Sequence, residues 1–80
     1  MSQWHVYMVQ CIDGSLYTGI ATDVNRRVAE HNAGQGARYT RGRGPVTLVY
    51  SEAVEGRPAA LKREYAIKRM RAEQKRAMFD

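Results

Sequence analysis

Apolar and polar positions alternate in short blocks along the chain, and the blocks predict both strands and helices. Trp4 to Gln10 (Trp-His-Val-Tyr-Met-Val-Gln) is rich in aromatic and β-branched residues and reads as a strand. Ile12-Asp13-Gly14-Ser15 follows, and Asp-Gly signals a tight turn because glycine accepts positive φ. Leu16 to Ile20 returns as a second strand, so Tyr7 and Tyr17 lie on adjacent strands of one hairpin. Thr22-Asp23 offers a side-chain oxygen to cap a helix that runs to about Asn32. Its Val24 and Val28 are four apart and share a face. At about 100° per residue, Arg27 and His31 fall within the valines' arc while Arg26 and Glu30 point away. Ala33 to Gly44 carries four glycines with Arg38, Arg41 and Arg43, which predicts a mobile basic loop or a short irregular segment, closed by Pro45. Val46 to Ser51 reads as a third strand. Gly56-Arg57-Pro58 then punctuates, and proline suits the first turn of a helix predicted from Pro58 to Met70. A bend near Arg71-Ala72 precedes a short helix, Glu73 to Phe79.

The order ββα-β-α-α places the chain in the α+β class, with a small three-stranded, mainly antiparallel sheet flanked by helices. Eighty residues predict one domain, 1–80, near the small end of what folds unaided. A hydrophobic fraction of 44% argues for a packed core rather than disorder. The single cysteine, Cys11, forms no internal disulfide and supplies no zinc framework. The N-terminus lacks the charged and apolar blocks of a signal peptide, and no run approaches the roughly 20 apolar residues of a membrane span. The expectation is a cytoplasmic protein without a membrane partner, monomeric by default.

Charge changes this picture. Thirteen Lys+Arg against eight Asp+Glu leave a net charge of +5, and on so small a surface this attracts polyanions, nucleic acid above all.

Candidate chemistry then concentrates on a few side chains. In the predicted second helix Ala60, Leu61, Tyr65 and Ile67 mark a broad apolar arc, with Glu64 near its middle and Lys68 one turn further on. A carboxylate there must be paired, hydrogen-bonded or holding a cation, because an unpaired buried charge is expensive. Periodicity leaves open whether Glu64 pairs with Lys68 or ligates a metal. His31 on a helix face suits packing or catalysis, and an inward Arg27 suits an ion pair or a phosphate. Tyr7 and Tyr17 taken alone are good strand residues.

In combination these residues resemble a known pattern. His5-Val6-Tyr7 and Tyr17-Thr18-Gly19 resemble the paired Gly-Ile-Tyr and Tyr-Ile-Gly signature of the GIY-YIG endonuclease superfamily. Val24-Asn25-Arg26-Arg27 followed by His31 is similar to the family's apolar-x-x-Arg-x-x-x-His segment, and Glu64 stands where the family places a metal-binding glutamate. The stretch Gly36 to Pro45 most resembles the small, stand-alone bacterial (YhbQ-like) members. Departures occur at His5, Val6 and Thr18, and at Ile20, where some nuclease members carry lysine.

The resemblance implies hydrolysis of DNA phosphodiester bonds with one divalent metal, Mg²⁺ or Mn²⁺, held by Glu64. It implies that Arg27 holds the scissile phosphate, that one tyrosine takes a proton from the attacking water, and that His31 orients water or a tyrosine hydroxyl. An unperturbed tyrosine has a pKa near 10, so the base needs positive charge nearby; Tyr17 is preferred, with Tyr7 as its positioning partner. Arg38, Tyr39, Arg41, Arg43 and Lys68 are the expected nucleic-acid contacts. Low sequence specificity and branched, damaged or single-stranded substrates of DNA repair or recombination follow as expectations. The alternatives are a nucleic-acid-binding module that keeps the fold without turnover, and a basic protein that docks on ribosomes or a protein partner.

Overall fold

The computed structural model describes residues 3–80. Its elements run β1 (Trp4–Gln10), β2 (Leu16–Ala21), α1 (Val24–Asn32), a 3₁₀ turn (Arg38–Thr40), β3 (Thr47–Val54), α2 (Gly56–Lys68) and α3 (Ala72–Ala77). The three strands form one sheet in the order β2-β1-β3, antiparallel throughout. The class is α+β, as the pattern of elements predicts.

β1 is the central strand, and this explains its composition. A strand covered on both faces reads as a continuous apolar run, and Val6, Tyr7, Met8 and Val9 are all buried. Successive side chains point to opposite faces. Val6 and Met8 therefore pack with Ala60 and Ile67 of α2, and Met70, Met78 and Phe79 close that side. Tyr7 and Val9 pack on the other side with Cys11, Val46, Tyr17 and the α1 valines, Val24 and Val28. In the hairpin register Tyr17 stands opposite Val9, and Tyr7 opposite Gly19. The two tyrosines are thus diagonal neighbours on the α1 face, within reach of each other's rings.

α1 begins where Asp23 accepts a hydrogen bond from the Arg26 backbone N–H at 3.0 Å, satisfying one of the free donors of the first turn. It ends with a device the periodicity does not reveal. Asn32 bonds both backbone groups of Val46, accepting from its N–H at 2.6 Å and donating to its carbonyl at 3.2 Å. The segment between them is consequently anchored at both ends, and it is the short irregular segment of the two expected forms, with one 3₁₀ turn at Arg38–Thr40. Ile12 N–H also bonds the Arg43 carbonyl at 2.9 Å, and the Arg43 side chain reaches Asp13 at 2.9 Å.

Other expectations change in extent. β3 runs on to Val54, because its pairing with β1 continues to Trp4↔Val54. α2 starts two residues earlier than Pro58 and ends at Lys68 rather than Met70, and α3 covers Ala72–Ala77 rather than Glu73–Phe79. The broad apolar arc of α2 is narrower than expected. Ala60 and Ile67 are buried, but Leu61 is 41% and Tyr65 64% exposed. A three-stranded sheet is too small to cover them, and at about 100° per residue both turn away from the Ala60–Ile67 line.

This distribution predicts a sharp contrast in stability. Ile67→Ala should lower the unfolding free energy in urea by about 2–5 kcal/mol. Tyr65→Ala, two positions away, should change it by less than about 0.5 kcal/mol.

Candidate active site

The hairpin brings the Tyr7 ring across the backbone of Gly19 on the neighbouring strand. A Cβ built on Gly19 would stand 2.6 Å from the Tyr7 hydroxyl and 2.8 Å from the adjoining ring carbon. The glycine is required by this close approach, not by its backbone conformation. From there the Tyr7 hydroxyl lies 2.7 Å from His31 Nε2, with both side chains buried. The tyrosine rings flank the imidazole. Tyr7 is tilted against it at 5.9 Å between centroids, and Tyr17 meets it edge-on at 5.3 Å.

On the far side of the ring, His31 Nδ1 is 2.8 Å from Thr40 Oγ1, and the Ala37 N–H points at the same nitrogen from 3.4 Å. Thr40 Oγ1 is also 2.9 Å from the Ala37 carbonyl. Two tautomers are compatible with the ring's bonds to Tyr7 and Thr40, each leaving one contact unmade: the Ala37 N–H to Nδ1 in the first, Thr40 to the Ala37 carbonyl in the second. In one, Tyr7 donates to Nε2, Nδ1–H donates to Thr40, and Thr40 donates to the Ala37 carbonyl. In the other, Thr40 donates to Nδ1 while Nε2–H donates to the Tyr7 oxygen, which frees the Tyr7 proton. The ring thus has a hydrogen-bond partner at each nitrogen. Thr40 is a residue that sequence reasoning missed. It is buried and polar in a glycine-rich segment, and the contact that matters becomes visible only after the loop folds back. Gly36 has a related part, since a Cβ there would fall 2.2 Å from His31 Nδ1.

Electrostatics keep this interior neutral. Burial raises the Tyr7 pKa to about 12, reinforced by Tyr17 and Glu64 and opposed by Arg27. Burial and the nearby Arg27 charge pull His31 below the ordinary imidazole value, with Glu30 opposing. A neutral imidazole is therefore present at pH 7, able to accept a hydrogen bond from the Tyr7 hydroxyl.

Arg27 and Glu64 approach the tyrosines from α1 and α2. The Arg27 side chain is 34% exposed against 77% for Arg26, the separation that helical phase predicts. Glu30, however, does not point away. Its carboxylate takes Arg27 Nη1 at 2.9 Å and Arg26 Nε at 3.4 Å. Glu64 is 17% exposed and lies 3.3 Å from Lys68 Nζ. The ammonium of Lys68 also sits 5.5 Å from the centre of the Tyr17 ring. Tyr17, half-buried, stacks on Tyr39 at 5.8 Å, and the Arg43 guanidinium lies over Tyr39 at 4.4 Å. Tyr7, Tyr17, Arg27, His31, Glu64, Lys68, Tyr39 and Arg43 therefore form one connected neighbourhood. Arg38 and Arg41 are exposed and make no side-chain hydrogen bond or ion pair among the described residues.

Among the described residues no group of three or more His, Cys, Asp or Glu could enclose a metal ion. The donor set around Glu64 is a single carboxylate. That fits a hard divalent cation that keeps most of its water and takes its remaining oxygens from phosphate, and not a protein-caged ion.

A small antiparallel sheet whose central strand supplies the tyrosine of a buried Tyr–His pair, with an arginine from α1 and a single glutamate from α2 beside it, defines a class of α+β domain. Within that class the chain belongs to the GIY-YIG family: the model of the GIY-YIG catalytic domain matches residues 3–77. The family is one of nucleases, and the fold is an endonuclease fold. The chain is 57% identical over 75 residues to a UPF0213 protein of Halobacterium salinarum, covering 94% of this chain and 97% of that one. It is 62% identical over 68 residues to a UPF0213 protein of Staphylococcus aureus, covering 85% and 83%. The relatives thus include an archaeal protein, so the resemblance extends beyond bacterial members. Two solved structures share the fold. The solution NMR structure of a UPF0213 protein from Bacillus halodurans is 44% identical with a TM-score of 0.59, covering 94% of this chain and 80% of that one. That of a protein from E. faecalis is 36% identical with a TM-score of 0.62, covering 96% and 83%.

The Tyr7–His31 pair predicts a pH profile of stability. Tyr7 has its folded pKa above the ordinary value of 10.0, so its contribution is complete below that value and is lost as pH rises from about 10 to about 12. His31 is shifted the other way: its contribution is complete above 6.5 and is lost as pH falls from there toward the lower folded value. Urea unfolding of Tyr7→Phe across pH should give a shallower alkaline arm than wild type, with Tyr50, also raised by its bond to Glu52, supplying the remainder. Equal arms would refute the burial of Tyr7. Gly19→Ala should destabilise by about 1–3 kcal/mol through displacement of the Tyr7 ring, visible as a changed imidazole titration of His31 by NMR.

Proposed function

We propose that this protein is a metal-dependent endonuclease that hydrolyses DNA phosphodiester bonds with low sequence specificity. The observation that carries the reading is the contrast between the two tyrosines. Tyr7 is buried and tied to His31, whereas Tyr17 is half-open with the Lys68 ammonium beside its ring. In the reaction Arg27 exchanges Glu30 for the scissile phosphate, holding it and stabilising the charge that develops on its oxygens. Tyr17, acting as the base in its phenolate form, takes the proton of the attacking water and ends as the neutral phenol, with the Lys68 ammonium 5.5 Å from its ring centre. Tyr7, fixed by His31 and by its passage across Gly19, holds the neighbouring ring surface in place. A divalent cation at Glu64, Mg²⁺ or Mn²⁺, supplies Lewis-acid stabilisation of the phosphate and leaving oxygens when bound.

The contacts available to DNA are stacking surfaces and cations: Tyr39, Arg43 and Lys68 close to the centre, Arg38 and Arg41 further out. Such contacts grip backbone and unstacked bases without reading base edges. They suit branched, damaged or single-stranded DNA of the kind met in repair or recombination, within the cytoplasm. The Glu64–Lys68 ion pair favours one competing reading, a nucleic-acid-binding module without turnover.

Supercoiled plasmid and single-stranded DNA incubated with Mg²⁺, Mn²⁺ or EDTA separate the two. Metal-dependent nicking is expected, reduced about 10²–10⁴-fold in Tyr17→Phe and abolished in Glu64→Gln. Nicking that survives both substitutions sinks the catalytic assignment. Salt-sensitive binding with no nicking selects the module.

A further inference from the structure

Beside the site, at the turn end of the hairpin, a cleft of about 250 Å³ opens between β2 and α3, lined by Ser15, Leu16, Tyr39, Ala72, Lys75 and Arg76. Just past the end of α3, Met78 and Phe79 pack against the core. The other face of α3 has a different character. Arg76 is committed, because its Nη2 donates to the Gly14 carbonyl at 2.7 Å and so pins α3 to the hairpin turn. Lys75 is half-buried in the wall, yet no carboxylate of the described residues pairs with it within ion-pair distance. A partly desolvated ammonium without a counter-charge favours an anion entering the cleft. No acidic residue lines this cleft. The other cleft bordering the site differs. It is lined by Trp4, Arg26, Arg27, Asp23 and Glu30 among others, and its two arginines are balanced by two carboxylates.

Tyr39 joins the basic cleft to the active site. Its ring stacks on Tyr17 and also walls the cleft. The Tyr39 ring has Tyr17 stacked on it and the Arg43 guanidinium over it, so a base of a strand leaving the site reaches that ring by taking the place of Arg43, beside the free cation of Lys75. An exposed aromatic beside a phosphate-binding cation is the arrangement that holds single-stranded nucleotides without reading their sequence.

We infer that the cleft between the hairpin turn and α3 is a nucleotide subsite for single-stranded DNA, flanking the scissile position, with Tyr39 stacking on the base and Lys75 contacting the phosphate. The inference rests on the nuclease reading for the position of the scissile phosphate, but binding tests it without cleavage. The full chain is titrated into fluorescein-labelled oligothymidylate in EDTA, with anisotropy read between about 50 and about 200 mM salt. Lys75→Gln should weaken binding and reduce the salt slope by about 1, the signature of one lost phosphate contact. Lys62→Gln, which removes the same charge from the outer face of α2, is the control and should leave the slope near wild type. Ala72→Glu, placing a carboxylate in the cleft, should weaken binding further, and thermal melts report whether each variant is folded. On titration with the dinucleotide pTpT, amide NMR shifts are expected at Ser15, Leu16 and Ala72.

The outcomes separate cleanly. If wild type does not bind oligothymidylate, the subsite for single-stranded DNA is overturned, while the nuclease reading stands or falls on plasmid nicking. If wild type binds, but Lys75→Gln and Lys62→Gln behave alike or the pTpT shifts avoid the cleft, the subsite alone is overturned.

Discussion

The Tyr7 hydroxyl meets His31 Nε2 at 2.7 Å in an interior from which both side chains exclude water, and most of the fold is arranged around that contact. A buried hydroxyl and imidazole are expensive unless each polar atom has a partner. Each does, and each partner lies on a different element. Tyr7 comes from β1, His31 from α1, and Thr40 from the 3₁₀ turn, while Gly19 on β2 leaves the space through which Tyr7 passes. One small polar network therefore ties the sheet, the helix and the basic segment together. Replacing any of its members leaves another buried group without a partner, and that is the form of loss that proteins tolerate least.

The same constraint shapes the electrostatics. Several carboxylates near the site are already engaged: Glu30 by Arg26 and Arg27, Asp13 by Arg43, and Glu64 by Lys68. These pairs are partly exposed, so they contribute little to stability and exchange readily. Their consequence is for orientation and not for folding energy. Each holds a cation at the rim of the site in an extended, ready position, and a phosphate offers those cations a more highly charged partner.

β2 supplies the place where this happens. It is an edge strand, and edges of sheets are otherwise a liability because they invite pairing with other chains. Here α1 and α2 reach the edge from opposite faces, carrying Arg27 and Glu64, and α3 is pinned across the turn by Arg76. The edge is left open to a ligand but is hemmed by charged side chains, a combination that discourages a second strand from docking.

Much was legible in the sequence because it depends on local geometry alone. The aromatic and β-branched content of β1, the return of β2 and the Asp-Gly turn place Tyr7 and Tyr17 on one hairpin, and helical phase separates Arg27 from Arg26 and puts His31 with the inward valines. These follow from local composition and a fixed period of about 3.6 residues that no tertiary contact needs to assist. The tertiary structure decided what the periods cannot encode. The glycine-rich segment is ordered because Asn32 grips Val46 and His31 finds Thr40, contacts between residues far apart in phase or sequence. Leu61 and Tyr65 are exposed because a sheet of this width covers only the Ala60–Ile67 line. The contact of Glu64 with Lys68 at 3.3 Å belongs to the folded structure, because periodicity leaves open whether that carboxylate is paired. Lys75 acquires a place beside the site only through the docking of α3 onto the hairpin turn. The hairpin, in short, was written in local pattern, whereas the site built on it is a product of packing, which brings four elements to one imidazole.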